Sequence, residues 1–159
     1  MTIITEFHYD FGIPNSYFCH RVIPQIEDRT GVRFRYVPIL LGGVFKATNN
    51  RSPMEQFAEV KNKKEYFARE TERFLQEHKL DKYVRNPHFP VNTLHIMRGA
   101  CYAAGKEFEQ KYIEIIYQSM WENGLKMDEP ATIKTVLTEH GLPADEIISG
   151  SQESATKQL

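Results

Sequence analysis

The chain has 159 residues, 41% of them hydrophobic, which is enough for one ordinary core. Its 20 basic and 21 acidic residues leave a formal net charge of −1, and no basic cluster is interleaved with aromatics. That balance removes the electrostatic case for nucleic acid or a membrane surface as a partner. No run approaches the roughly 20 apolar residues of a membrane span. The opening MTIITEFHYDFG meets Glu6 and lacks the continuous apolar stretch of a secretory signal. The two cysteines, Cys19 and Cys101, are far apart and suit a reducing compartment, so the expectation is a cytoplasmic globular protein.

Residues 2–9 carry Ile3, Ile4, Phe7 and Tyr9, a β-rich run that reads as a largely buried strand. Pro14 then pre-sets a first helical turn, with Asn15 or Ser16 available to cap it. Tyr17, Phe18, Val22, Ile23 and Ile26 keep helical spacing as far as Gly31, a good stop, and Pro24 inside that pattern predicts a kink. Val32, Phe34 and Tyr36 alternate with Arg33 and Arg35 as a second strand. Strand, helix and strand make a βαβ unit with parallel strands.

After residue 40 the character changes. LLGGVFKATNNR reads as a loop, and Ser52-Pro53-Met54-Glu55 as a helix start, with the helix running to about His78. DKYVRNPHFPVN is a proline-containing loop. Helices follow over Thr93–Gly105, Glu107–Glu122, 130–140, 143–149 and 151–159. The six histidines show no H-x-x-x-H or H-E-x-x-H spacing, so no metal site is expected, and there is no phosphate loop. Trp121, Met120, Ile116 and Tyr117 fit core packing.

Tyr9-Asp10-Phe11-Gly12-Ile13-Pro14-Asn15-Ser16-Tyr17 resembles the "DF-x-S-P-x-S-Y" opening of the 2-hydroxychromene-2-carboxylate isomerases and kappa-class glutathione transferases, in the DsbA-like branch of the thioredoxin fold. Three further stretches follow in the same order: Asn49–Pro53, Phe89–Asn92 with Met97-Arg98, and YQSMWENG at Tyr117–Gly124. The resemblance implies an α/β, thioredoxin-like βαβ half over 1–40 and a large helical insertion over 41–159. The family's ββα half would begin about where this sequence stops, so the chain reads as a truncated form whose exposed sheet edge favours self-association into a homo-oligomer.

Glutathione as cofactor, and a small aromatic-derived substrate in aromatic catabolism, also follow from the resemblance. In that family a serine at the first position of the motif hydrogen-bonds the glutathione sulfur. Here the position is Ile13, which has no side-chain donor. What remains is the N-terminus of the first helix, with its unpaired N–H groups and partial positive charge, and the Ser16 hydroxyl. Losing one hydrogen bond to a charged partner costs about 1.5–3 kcal/mol, which weakens thiolate stabilisation without abolishing it.

Ser16 is therefore the catalytic candidate. Ile13 and Asn15 line the glutathione site, and Asn50 is the candidate for the peptide amide. Each has a plainer role beside it: Ser16 as a helix cap, Asn50 as a turn residue. Asn92 reads as a helix cap, and Arg98 as one side of an internal ion pair or a contact for a substrate carboxylate. The rival readings are a disulfide oxidoreductase relative that has lost its C-x-x-C, since Ile13 and Ser16 occupy both cysteine positions, and a degenerate interaction module. Cys19 has no resolving partner in reach and reads as a packed helix cysteine.

Overall fold

The computed structural model describes residues 4–157. Strand β1 (Thr5–Tyr9) leads through a turn into helix α1 (Pro14–Thr30) and strand β2 (Phe34–Pro38). Helices α2 (Leu41–Ala47), α3 (Pro53–Gln56), α4 (Lys63–His78), α5 (Leu94–Ala103), α6 (Glu109–Trp121), α7 (Pro130–Glu139), α8 (Ala144–Gly150) and α9 (Ser154–Lys157) follow. The expected strand residues 2–3 and helix residues 158–159 lie outside the described residues. Contacts divide the chain into two units, one holding 1–39 with 84–159 and the other Leu40–Tyr83.

In the first unit β1 and β2 pair in parallel, Thr5 opposite Phe34 through Tyr9 opposite Pro38. This is the βαβ expected from the alternation. Gly31 ends α1 with φ 73°, a left-handed conformation that glycine adopts without a Cβ penalty, and its N–H bonds the Glu27 carbonyl at 2.8 Å. The Glu27 carboxylate accepts the Phe34 N–H at 2.8 Å, tying the helix end to the strand start. One sheet face is apolar: Phe7 meets Tyr36 edge-on, and Tyr9 meets Phe11 at 5.3 Å. The other face is polar, with Glu6 directly opposite Arg35 and ion-paired to it. β1 is therefore half-buried rather than largely buried, because only its Phe7 and Tyr9 side is covered.

The core of this unit joins the site turn to α5, α6, α7 and α8, with Tyr112, Ile113, Ile116, Tyr117, Met120 and Trp121 of α6 all but inaccessible. The proline-containing loop before α5 is held by buried Asn86, whose amide donates to the carbonyls of Met120 and Leu125, both at 2.9 Å, and accepts the His88 N–H at 2.8 Å. Every polar atom of that side chain has work.

The second unit differs from expectation twice. The stretch read as a loop contains α2, despite Gly42 and Gly43, because Leu40, Leu41 and Phe45 are partly covered. The helix expected from 53 to 78 is two helices separated by turns at 57–62, where Asn62 has φ 61°. Ser52 does cap α3, its Oγ accepting the Glu55 N–H at 3.3 Å. No residue of Leu40–Tyr83 is fully buried, and the Lys63 ammonium sits over the rings of Phe57, Tyr66 and Phe67 at 4.7–5.4 Å.

Candidate functional site

The turn between β1 and α1 is fixed from below by a single carboxylate. Asp10, buried, accepts the Gly12 N–H at 2.9 Å and the Thr93 hydroxyl at 2.8 Å through the same oxygen. A Cβ at Gly12 would stand 2.8 Å from the Thr93 methyl, so the close approach of the turn to Thr93 requires glycine. Phe11 is held on both sides: its N–H meets the Met97 sulfur at 3.5 Å and its carbonyl accepts the Trp121 indole N–H at 2.8 Å. Ile13 then caps α1 in extended conformation (φ −113°, ψ 116°) with no side-chain cap bond, and Pro14 fills the first helical position.

Few donors remain open at this helix end. Pro14 has no N–H, and the N–H groups of Ser16 and Tyr17 both reach the Ile13 carbonyl, at 3.0 and 3.3 Å. The Asn15 N–H has no acceptor among the described residues, and Asn15 itself is exposed. Among the described residues, the open backbone donor of this helix end is therefore the Asn15 N–H.

Behind the turn, Ser16 is 8% exposed and faces inward. Its hydroxyl and the Asp10 carboxylate both act on the hydroxyl of Tyr117 of α6, but no hydrogen bond of good geometry is made there. Among the described residues the fully buried Tyr117 hydroxyl thus has no hydrogen-bond partner. Burial, with the nearby Tyr9 and Asp10, pushes its pKa far up, so the phenol stays protonated.

One turn further along α1 the polar groups are all engaged. His20, 8% exposed, contacts the Tyr36 hydroxyl through Nδ1 at 2.9 Å and the Glu114 carboxylate through Nε2 at 2.8 Å, and stacks on the Tyr117 ring at 4.8 Å. Arg21 and Gln118 each donate to the other Glu114 oxygen at 2.6 Å. The hydrogen bond from His20, together with Arg21, outweighs partial burial and holds the Glu114 carboxyl down at about 2. Tyr17 donates to Glu122 at 3.0 Å, and its own pKa is raised by burial and by that carboxylate.

A family model for the DSBA-like thioredoxin domain matches residues 4–159. The chain belongs to the DSBA-like thioredoxin domain family. A curated relative, 2-hydroxychromene-2-carboxylate isomerase of Sphingobium xenophagum, is 26% identical over 147 residues, spanning 91% of this chain and 72% of the relative. A solved structure of 2-hydroxychromene-2-carboxylate isomerase superposes with a TM-score of 0.78 at 20% identity, covering 98% of this chain and 74% of the other. At that identity the structural likeness speaks for the fold. The fold is accordingly the DsbA-like thioredoxin type, mostly helical, with the two-stranded parallel sheet described above.

Within this DsbA-like domain the first turn of α1 brings together Ile13, Asn15 and Ser16, as their spacing requires. Ile13 is half-buried at the cap. Asn50 belongs to the second unit, exposed, with its side-chain oxygen accepting the Arg51 N–H at 2.8 Å and its own N–H on the Phe45 carbonyl at 2.8 Å. Asn92 accepts the Leu94 N–H at 3.1 Å, the plain capping role, while Arg98 is half-buried with no ion pair among the described residues. Cys19 lies on an exposed part of α1, yet enough protein surrounds its thiol to push the pKa up, the wrong direction for a nucleophile.

Sequence reading missed three contributors: Thr93 as the partner of Asp10, Tyr117 as more than packing, and the His20–Glu114 pair. The available signal was a polar side chain on an otherwise apolar helix face, at Ser16 and His20 in α1 and at Glu114 and Gln118 in α6.

A thiol-bearing cofactor fits the chemistry of this donor set. The helix end offers an open N–H to an anion, an orphaned buried hydroxyl stands behind Ser16, and no low-pKa thiol of the chain itself competes.

Proposed function

We propose that the chain is a glutathione-dependent isomerase of the 2-hydroxychromene-2-carboxylate isomerase type, acting on a small unsaturated, aromatic-derived substrate in the cytoplasm, with kappa-like glutathione transfer as the neighbouring activity. Bound glutathione would supply the thiolate that adds reversibly to the substrate. One observation carries the reading: the first turn of α1 leaves the N–H of exposed Asn15 without an acceptor among the described residues while offering no thiol of its own. The relative's name supplies the reaction class.

The chain's residues have separable tasks. The Asn15 N–H, at the positive end of the α1 dipole, stabilises the sulfur as an anion. Ser16 adds a side-chain donor where Ile13 offers only an apolar wall. Asp10, by holding Gly12 and Thr93 together, keeps the turn in the conformation that exposes Asn15. Asn50 is assigned to the peptide part of glutathione on the resemblance of its loop. Two copies of the chain are proposed to associate as a homo-oligomer.

Calorimetric titration with reduced glutathione tests the reading. Binding in the micromolar to millimolar range is expected, weakened about three- to tenfold by Asn50→Ala through the loss of one hydrogen bond. No heat at millimolar glutathione would mean that Ile13 has closed the site, and the chain would then be an interaction module.

A further inference from the structure

A buried hydroxyl without a partner is rare in a folded protein, and each one asks for a reason. Tyr117 is 0% exposed and its hydroxyl has no hydrogen-bond partner among the described residues, whereas the hydroxyls of Tyr112, Tyr17 and Tyr36 all have one, on Ile96, Glu122 and His20 at 2.8–3.0 Å. Nor can the ring turn elsewhere. Phe11 meets it edge-on at 4.8 Å, His20 stacks on it at 4.8 Å, and Tyr9 and Tyr17 close the sides at 6.1 Å. The contacts with Phe11 of the turn and Tyr17 of α1 set the ring against the start of α1, and Ser16 and Asp10 lie near enough to its hydroxyl to influence it. One Asp10 oxygen already serves Gly12 and Thr93. Ser16 is the neutral group within its reach.

We propose that Tyr117 is a positioning residue for the anion site at the first turn of α1: its hydroxyl donates to Ser16 Oγ, so that Ser16 turns its own proton outward to an anion beside the Asn15 N–H. The inference rests on the glutathione reading above and adds a member to that site. A serine hydroxyl has one proton and two lone pairs, so accepting from tyrosine leaves its proton available, and a hydroxyl that accepts becomes a better donor. Burial keeps the phenol protonated, which is the state the role needs. With Ile13 at the first motif position, this two-hydroxyl relay is the side-chain donor path left at the helix end.

Tyr117→Phe deletes one oxygen and keeps every ring contact. A purely structural tyrosine with an unpaired hydroxyl predicts equal or higher thermal stability and nothing else. The positioning role predicts in addition that the thiol pKa of bound glutathione, read from ultraviolet thiolate absorbance, rises by about half a unit to one unit in Tyr117→Phe. Ser16→Ala should raise it as well, and adding Tyr117→Phe to Ser16→Ala should then change nothing. Bound glutathione with the same thiol pKa in wild type and Tyr117→Phe overturns the proposal and leaves the glutathione reading intact.

A second comparison needs no ligand. In a Cys19→Ser, Cys101→Ser background, Ser16→Cys places a thiol on this side chain, and its pKa should rise when Tyr117→Phe is added. If wild type binds no glutathione, the glutathione reading falls. The introduced thiol then decides the role of Tyr117: an unchanged pKa ends it, and a Tyr117-dependent one keeps the hydroxyl aimed at position 16.

Discussion

Helix α1 carries two polar regions one turn apart, both in contact with α6, and they are built in opposite ways. Around His20 and Arg21 each charged or polar side chain has a partner, with Glu114 accepting from three donors. At the first turn the Asn15 N–H is open and the Tyr117 hydroxyl is unpaired. The satisfied region stabilises the α1–α6 contact. The unsatisfied one sacrifices some stability, and on the proposed reading it is the open Asn15 N–H there that a ligand would meet, because a polar group already bonded within the protein has nothing left for one.

Breaking the satisfied region should have the largest effect. Glu114→Ala leaves His20, Arg21 and Gln118 without their acceptor and is expected to cost about 2 kcal/mol, discounted because the carboxylate is partly exposed. Denaturant melts with an unchanged m-value would show it. The same carboxylate gives a pH signature. Its folded pKa of about 2 lies below the ordinary 4.5, so its stabilisation is complete above that ordinary value and is lost as pH falls from about 4.5 towards 2. Glu114→Gln should flatten the stability profile across that window.

Gly12→Ala comes next, at about 1–2 kcal/mol, since the new methyl meets the Thr93 methyl and the turn must move. Because the turn itself shifts, glutathione affinity should fall with stability, which distinguishes this change from Glu114→Ala.

Ile13→Ser is the smallest in stability, within about 1 kcal/mol, as an N-cap hydroxyl offsets the lost apolar contact. Its effect on the site should be disproportionate: a second side-chain donor lowers the bound thiol pKa, and glutathione affinity rises up to about tenfold at neutral pH. A rise in melting temperature with unchanged glutathione titration would show that position 13 serves the helix alone.

The βαβ unit was legible because its signals agree: alternation in β2, Pro14 at the first helical position and Gly31 at the end of α1. The second unit was not. Phe57–Asn62 contains no glycine or proline, yet none of its residues is buried, and propensity without packing does not hold a helix across six positions. Conversely, Gly42-Gly43 argued against a helix at about 1 kcal/mol each, and partly covered Leu41 and Phe45 prevailed. At the site, Ile13, Asn15 and Ser16 were readable because they are adjacent in sequence. The partners that decide what they do were not. Thr93 lies 83 residues from Asp10, Glu114 lies 94 from His20, and Tyr117 sits in a helix whose aromatic spacing looks like packing and nothing else.

The Trp121 indole N–H on the Phe11 carbonyl has an optical consequence. Trp121 is the chain's single tryptophan, 1% exposed, and its one polar atom is bonded to the residue before Gly12. Any event that moves the turn by a fraction of an ångström alters the field on that chromophore. Steady-state emission, which that burial is expected to shift to the blue, is therefore a label-free gauge of the turn, ready to follow in real time whatever settles on α1.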